Sequence, residues 1–127
     1  MGLMDRSGAV AAEFALLAPV FLLIAFGLIE FGRLMWIRST IQYAVQEAGR
    51  MAMVNPQATA TQITTFAQSR VFGMNPAGIT FAATAQTVDS VDFMNVTGTY
   101  QFDFLVPVIP LGPLTINARS RVPRAAN

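Results

Sequence analysis

The sequence predicts an α+β chain. A long N-terminal helix, transmembrane and then amphipathic, is followed by a small domain with a short helix and a three-stranded antiparallel sheet. Three observations predict it. From Phe14 to Ile29 there is no charged residue and no Ser, Thr, Asn or Gln. Apolar residues then recur at helical spacing as far as Ala52. Beyond Asn55-Pro56 the pattern passes to a short helix and then to the alternation of strands.

Composition limits the function. Of 127 residues, 54% are hydrophobic and 12% charged, and the mean hydropathy is +0.50. An ordinary soluble domain carries about 25% charged residues, so part of this chain is suited to a non-aqueous neighbour. There is no Cys, which removes disulfides, a thiolate nucleophile and Cys-based zinc sites. There is no His, the commonest general base and metal ligand. Ser7, Ser39, Ser69, Ser90 and Ser120 therefore have no imidazole to activate them, and no Gly-rich phosphate loop occurs. The expectation is no enzyme, no cofactor and no metal. A net charge of +1, with the basic residues all Arg and scattered, gives no basis for binding nucleic acid.

The elements follow in chain order. The run Phe14–Ile29 is ~24 Å long as a helix at ~1.5 Å per residue. Extended back to Ala9 it reaches the roughly 20 residues that a bilayer core needs, and it then includes Glu13. A carboxylate inside a span costs roughly 2.5–3.5 kcal/mol at the centre on insertion scales. Near the end, snorkelling lowers that cost. Two readings of Glu13 stand at this point: a helix-end acid at the headgroups, or a carboxylate kept for a buried partner. Pro19 lies mid-span, removes one backbone hydrogen bond and predicts a kink that membrane helices tolerate. Ala11 and Ala15 form a small-xxx-small pair, a weak packing signal. Flanking Arg6, Arg33 and Arg38 differ by one residue across the span, so charge does not decide orientation.

Helical character continues beyond the span. Ile37, Ile41, Ala44, Ala48 and Ala52 fall on one face, and Arg38, Gln42, Gln46 and Arg50 on another. Glu47 reaches Arg50 at i+3. One helix from about Gly8 to Val54 would be ~70 Å long. The apolar stripe 37–52 fits packing against the chain's own C-terminal region or against other subunits. Residues 58–72 predict a short amphipathic helix with Ile63, Phe66, Ala67 and Val71 inward, and 75–78 a turn. Ile79, Phe81, Ala83 and Ala85 alternate with polar or small neighbours in one strand. Val96, Gly98, Tyr100, Phe102 and Phe104 do so in a second, and Leu114, Ile116, Ala118 and Val122 in a third. Pro107, Pro110, Gly112 and Pro113 mark an irregular loop between the last two. Some 70 residues barely bury a core alone, so the long helix is the expected cover for a one-sided sheet.

Other candidate features are thin. Asp89 and Asp92 in a loop offer too few oxygens for calcium. Asn95-Val96-Thr97 matches a glycosylation sequon but falls within a strand. Arg119, Arg121 and Arg124 suggest a small solvated basic face.

The segment Arg6-Ser7-Gly8-Ala9-Val10-Ala11-Ala12-Glu13-Phe14 has a short polar leader ending in Gly. An apolar helix follows, with Glu at its fifth position and an aromatic next. It resembles the processing site of type IV prepilins. From Arg6 through Glu30-Phe31-Gly32-Arg33 to Glu47-Ala48-Gly49-Arg50, the chain resembles a TadE-like protein, a minor pilin or pseudopilin of tight-adherence (Tad, Flp, type IVc) pilus systems. The resemblance implies a leader at 1–8, a helix at 9–54 that is transmembrane over about 9–30, and a periplasmic α+β head at 55–127. It implies cleavage between Gly8 and Ala9 by a prepilin peptidase, where a residue without Cβ leaves the backbone open. It implies a subunit-pairing role for Glu13, beside Phe14, toward the N-terminal amine of a neighbouring subunit. The implied partners are inner-membrane lipid, the peptidase, other pilins or pseudopilins and the pilus assembly machine. The N-terminus would be cytoplasmic and the head periplasmic, with incorporation into an extracellular pilus open.

Two other readings compete. One is an uncleaved single-pass membrane scaffold. The other is a periplasmic or secreted binding module released by signal peptidase after Ala25-Phe26-Gly27, a passable small-x-small site. Against the second, Glu13 interrupts the apolar region and helical periodicity runs through Glu30 without a break.

Overall fold

The computed structural model describes residues 4–106 and 112–125. Two α-helices are followed by a three-stranded sheet, the α+β arrangement expected. Helix α1 spans Met4–Val54 and α2 spans Ala60–Ser69. A single 3-10 turn at Pro76–Gly78 leads into β1 (Ile79–Val88), β2 (Val91–Phe102) and β3 (Leu114–Pro123). The sheet order is β1-β2-β3 and both pairings are antiparallel. Of the expected loop, Pro107 and Pro110 lie outside the described residues. The chain divides into two compact units, Met1–Arg33 and Leu34–Asn127.

The first unit is the N-terminal part of α1. That helix begins at Met4, earlier than the expected start near Gly8. A lone Gly costs about 1 kcal/mol in a helix relative to Ala, too little to stop one that continues into Ala9–Ala12. The helix also runs through Pro19.

The second unit holds the hydrophobic core. On α1, Ile37, Ile41, Ala44, Val45, Ala48 and Ala52 are buried, so all five residues of the expected stripe are covered. The cover is the chain's own sheet. A Cβ built on Gly98 of β2 would lie 2.7 Å from Ile41 Cγ2 and 3.2 Å from Val45 Cγ1. One built on Gly49 of α1 would lie 2.6 Å from Ser120 Oγ of β3. Glycine at both positions lets the helix and sheet backbones approach closely. At the edge strand, Gln42 Nε2 donates to the Arg119 carbonyl oxygen at 3.4 Å. On the sheet's inner face Ile79, Met94, Val96, Phe102, Ile116 and Ala118 are buried, as period-2 alternation requires.

Helix α2 begins at Ala60 because Thr59 caps it. Thr59 Oγ1 accepts from the Gln62 amide (3.2 Å), and Gln62 Oε1 accepts from the Thr59 amide (2.9 Å), a complete capping box. Ile63 and Ala67 are buried, with Phe66 and Val71 packed against the same core. Asn75 Oδ1 accepts from the Ala77 amide at 3.0 Å and starts the turn before β1.

Two local expectations are corrected. Asp89 and Asp92 do not share a loop. β1 and β2 meet in a two-residue hairpin, with Val88 opposite Val91 and Asp89 and Ser90 at φ 50° and 65°. Positive φ at both central positions suits the strand twist, and Asp tolerates it. Asp92 sits inside β2, where its Oδ1 accepts from the Thr87 hydroxyl. The triple Arg face also divides. Arg119 and Arg121 are exposed, and the Arg121 guanidinium carbon lies 4.2 Å over the Phe93 ring. Arg124 is half-buried past the strand end and reaches the Ala58 carbonyl at 3.5 Å.

Candidate functional site

Every sequence-predicted site residue lies on the first unit's helix. Gly8 and Ala9 are both exposed, and a Cβ at Gly8 would meet nothing within 4 Å. The Gly8–Ala9 bond lies within regular helix, so a protease that binds extended chain must unwind this turn first. Glu13 is one turn beyond Ala9 on the same face, ~6 Å along the axis. Its side chain is exposed and makes no ion pair among the described residues. Phe14 beside it is 72% exposed. Pro19 is exposed within the helix, and its missing N–H leaves the Ala15 carbonyl without its usual helical donor.

The surroundings of these residues are apolar on all sides. Leu16, Leu17, Phe21, Ile24, Leu28 and Ile29 are each more than half exposed. Exposing a large aliphatic or aromatic side chain to water costs about 1.5–3 kcal/mol relative to burial. Such a row needs a cover from outside the chain. The helix is long and apolar enough to cross a membrane, and almost none of its most apolar window is buried by the chain itself. It therefore has the character of a membrane anchor.

The structure adds one residue that sequence reasoning passed over. Glu30 is the buried carboxylate of the described chain, 7% exposed. Its Oε2 accepts from Arg33 Nη1 at 2.9 Å. The signal was present, since Glu30 and Arg33 stand at i,i+3 spacing, but the sequence weighed Glu13 as the notable acid. Farther on, Glu47 and Arg50 pair at 3.3 Å on an exposed face, as the spacing predicts.

Among the described residues of the second unit, none of the hydrogen bonds links a nucleophile to a base held by an orienting group. Among the described residues no group of three or more Asp, Glu, His or Cys could hold a metal. One open depression on this unit is lined by Trp36, Ser39, Thr40, Tyr43, Phe72 and Gly73.

Residues 8–50 match the sequence model of the TadE-like protein family, consistent with a TadE-like protein of the Tad pilus system. The match opens on Gly8, runs through the apolar segment and closes on Arg50, within the last turns of α1. This family is typically structural rather than catalytic. No curated protein and no solved structure matches the chain.

Proposed function

We propose that this chain, TadE-like over residues 8–50, is a minor pilin or pseudopilin that acts in assembly of a Tad adhesion pilus. The proposal divides it into a leader at 1–8, a helix at 9–54 and a head at 55–127. The helix anchors the protein in the inner membrane, with the N-terminus cytoplasmic and the head periplasmic. A prepilin peptidase cuts between Gly8 and Ala9. Glu13 then becomes the fifth residue of the mature chain, and its carboxylate meets the N-terminal amine of a neighbouring subunit. In lipid such a pair offsets part of the cost of each buried charge and fixes register between subunits.

One observation carries the proposal: the family match begins on the Gly that would precede the cut and covers the whole uncovered apolar segment. A helix with no cover of its own is what packing between subunits, or into lipid, requires. The head supports the reading in a weaker way, because the apolar stripe of 37–52 is already covered by the chain's own sheet.

Intact mass of the protein extracted from its native membranes tests it. A chain beginning at Ala9 is expected. One beginning at Leu28 would mean signal-peptidase release and a soluble product. One retaining the residues before Gly8 would leave an uncleaved anchor and demote Gly8 and Glu13 to helix-end residues.

A further inference from the structure

The two edges of the sheet are built differently. In the order β1-β2-β3, both β1 and β3 have one side without a neighbouring strand. An open edge presents unpaired N–H and C=O groups to any other strand, and proteins blunt it with charge, Pro, bulges or a cover. β3 has several of these. Arg119 and Arg121 are exposed along it and Pro123 ends it. The Arg124 amide donates to the Asp92 carbonyl at 2.8 Å, so even-numbered positions of this strand face β2 and Arg119 faces outward. Its outward carbonyl is taken up by Gln42 of α1. β1 has no such protection. It is ten residues long, pairs with β2 in continuous register without a bulge, and contains neither a charge nor a Pro. Residues 71–88 carry no charge at all.

The hairpin fixes which backbone groups β1 offers. Val88 and Val91 close a two-residue turn and exchange both their hydrogen bonds, and bonded pairs then alternate along the strands. Thr80, Ala82, Thr84 and Gln86 therefore bond to β2. The N–H and C=O groups of Phe81, Ala83, Ala85 and Thr87 point out of the edge. Thr84, Ala85, Gln86 and Thr87 are all exposed, two on each face, so among the described residues nothing covers this half of the strand. The side-chain hydrogen bonds of β1 run inward to β2, from Asn95 to Gln86 and from Thr87 to Asp92.

We propose that β1 pairs antiparallel with β1 of a second copy of the chain, joining two three-stranded sheets into one of six strands. The inference goes beyond the pilus reading and needs only the Leu34–Asn127 unit. A two-fold axis normal to the sheet makes the edge its own complement. The pairing brings no like charges together, because β1 has none, whereas the same pairing of β3 would crowd Arg119 and Arg121 against those of the copy. It also keeps the core-side residues of both copies on one face, since directly opposed residues share parity. The longest overlap of residues 79–88 puts the axis at Ala83 or Thr84. With the axis at Ala83, Phe81 of one copy stands opposite Ala85 of the other, which is exposed in the single chain.

The chain has no Cys, so single cysteines map the pairing. Thr80→Cys, Ala82→Cys, Thr84→Cys and Gln86→Cys, all at exposed positions on one face of β1, are compared with Thr115→Cys and Asn117→Cys, exposed on β3. Each full-length variant is oxidised in detergent and its disulfide-linked dimer is quantified. Residues opposed across an antiparallel pair have Cα atoms about 4.5–5.5 Å apart, within disulfide reach. A residue two places from the axis is ~13 Å along the strand from its own copy. Yield is therefore expected to peak at Thr84, or to be shared by Ala82 and Thr84, and to fall several-fold toward Thr80 and Gln86. Both β3 positions should stay at background. Equal yield along β1, or yield on β3 as high as on β1, means random collision and overturns the pairing. A dimer seen by sedimentation that forms no disulfide from any β1 position also overturns it, and places the contact elsewhere in the chain. A protein that sediments only as a monomer overturns it as well. None of these outcomes alters the intact mass, so the pairing and the peptidase cut stand or fall separately.

Discussion

The two parts of α1 share one backbone and differ in what covers them. From Phe14 to Ile29 the helix is apolar all round, and its large side chains are exposed. From Leu34 onward it is apolar on one stripe, and the chain's own sheet covers that stripe. The difference is one of periodicity. A helix apolar on every side cannot be satisfied by a single sheet, whereas an i, i+3, i+4 stripe can. The first part therefore needs partners outside the chain, and the second has already found its partner. A substitution should accordingly act on folding in the second part and on association in the first.

The largest effect expected is at Ile41, fully buried under the sheet. Ile41→Ala should cost about 2–5 kcal/mol, measured by urea unfolding of the full chain in detergent with Trp36 emission as the probe. Leu17→Ala, at a residue 64% exposed, should leave that midpoint unchanged. Equal losses at both positions would break the comparison. Next comes Gly98→Ala. Its new methyl would meet Ile41 Cγ2 at 2.7 Å and Phe81 Cε1 at 3.0 Å, and overpacking of this kind costs about 1–3 kcal/mol. Gly27→Ala, where nothing lies within 4 Å, should not destabilise the same unit.

A finer test lies on the solvated side of the second part. Arg50 pairs with Glu47 at 3.3 Å with its side chain 77% exposed. Arg50→Ala should shift the midpoint by no more than about 1 kcal/mol, as exposed pairs do. A larger loss would show that this face is covered by something beyond the chain's own sheet.

The covered part was the more legible of the two. Ile37, Ile41, Ala44, Ala48 and Ala52 were identifiable because helical period survives in sequence, and all five are buried. The alternation of Val96, Gly98 and Phe102 placed β2 for the same reason, since each side chain's face follows from parity. The start of β2 was not legible. Asp89-Ser90 resembles any polar turn, and only the backbone shows that two positive φ values close it in two residues. Glu30 escaped for a different reason: its i,i+3 spacing to Arg33 signals a pair but does not reveal burial. Glu13 is the opposite case. The sequence marks it as unusual in an apolar helix, while the isolated chain leaves it exposed and without an ion pair among the described residues.

Glu13 therefore gives the sharpest form of the comparison, with the smallest effect on folding and the largest on assembly. Its side chain is exposed and makes no ion pair among the described residues, so Glu13→Ala should leave the urea midpoint where it is. Insertion should not suffer, because removing a carboxylate from an apolar helix lowers the transfer cost. What the substitution removes is the partner proposed for a neighbour's amine. Pilus assembly, scored by electron microscopy of cells carrying the variant, should be lost while membrane fractionation stays normal. Glu13→Gln separates charge from hydrogen bonding: an amide keeps the acceptor oxygen but gives no attraction to an ammonium group. Wild-type piliation in both variants would return Glu13 to a headgroup-level acid. Assembly in the Gln variant alone would mean that the carboxylate acts through its hydrogen bond and not through its charge.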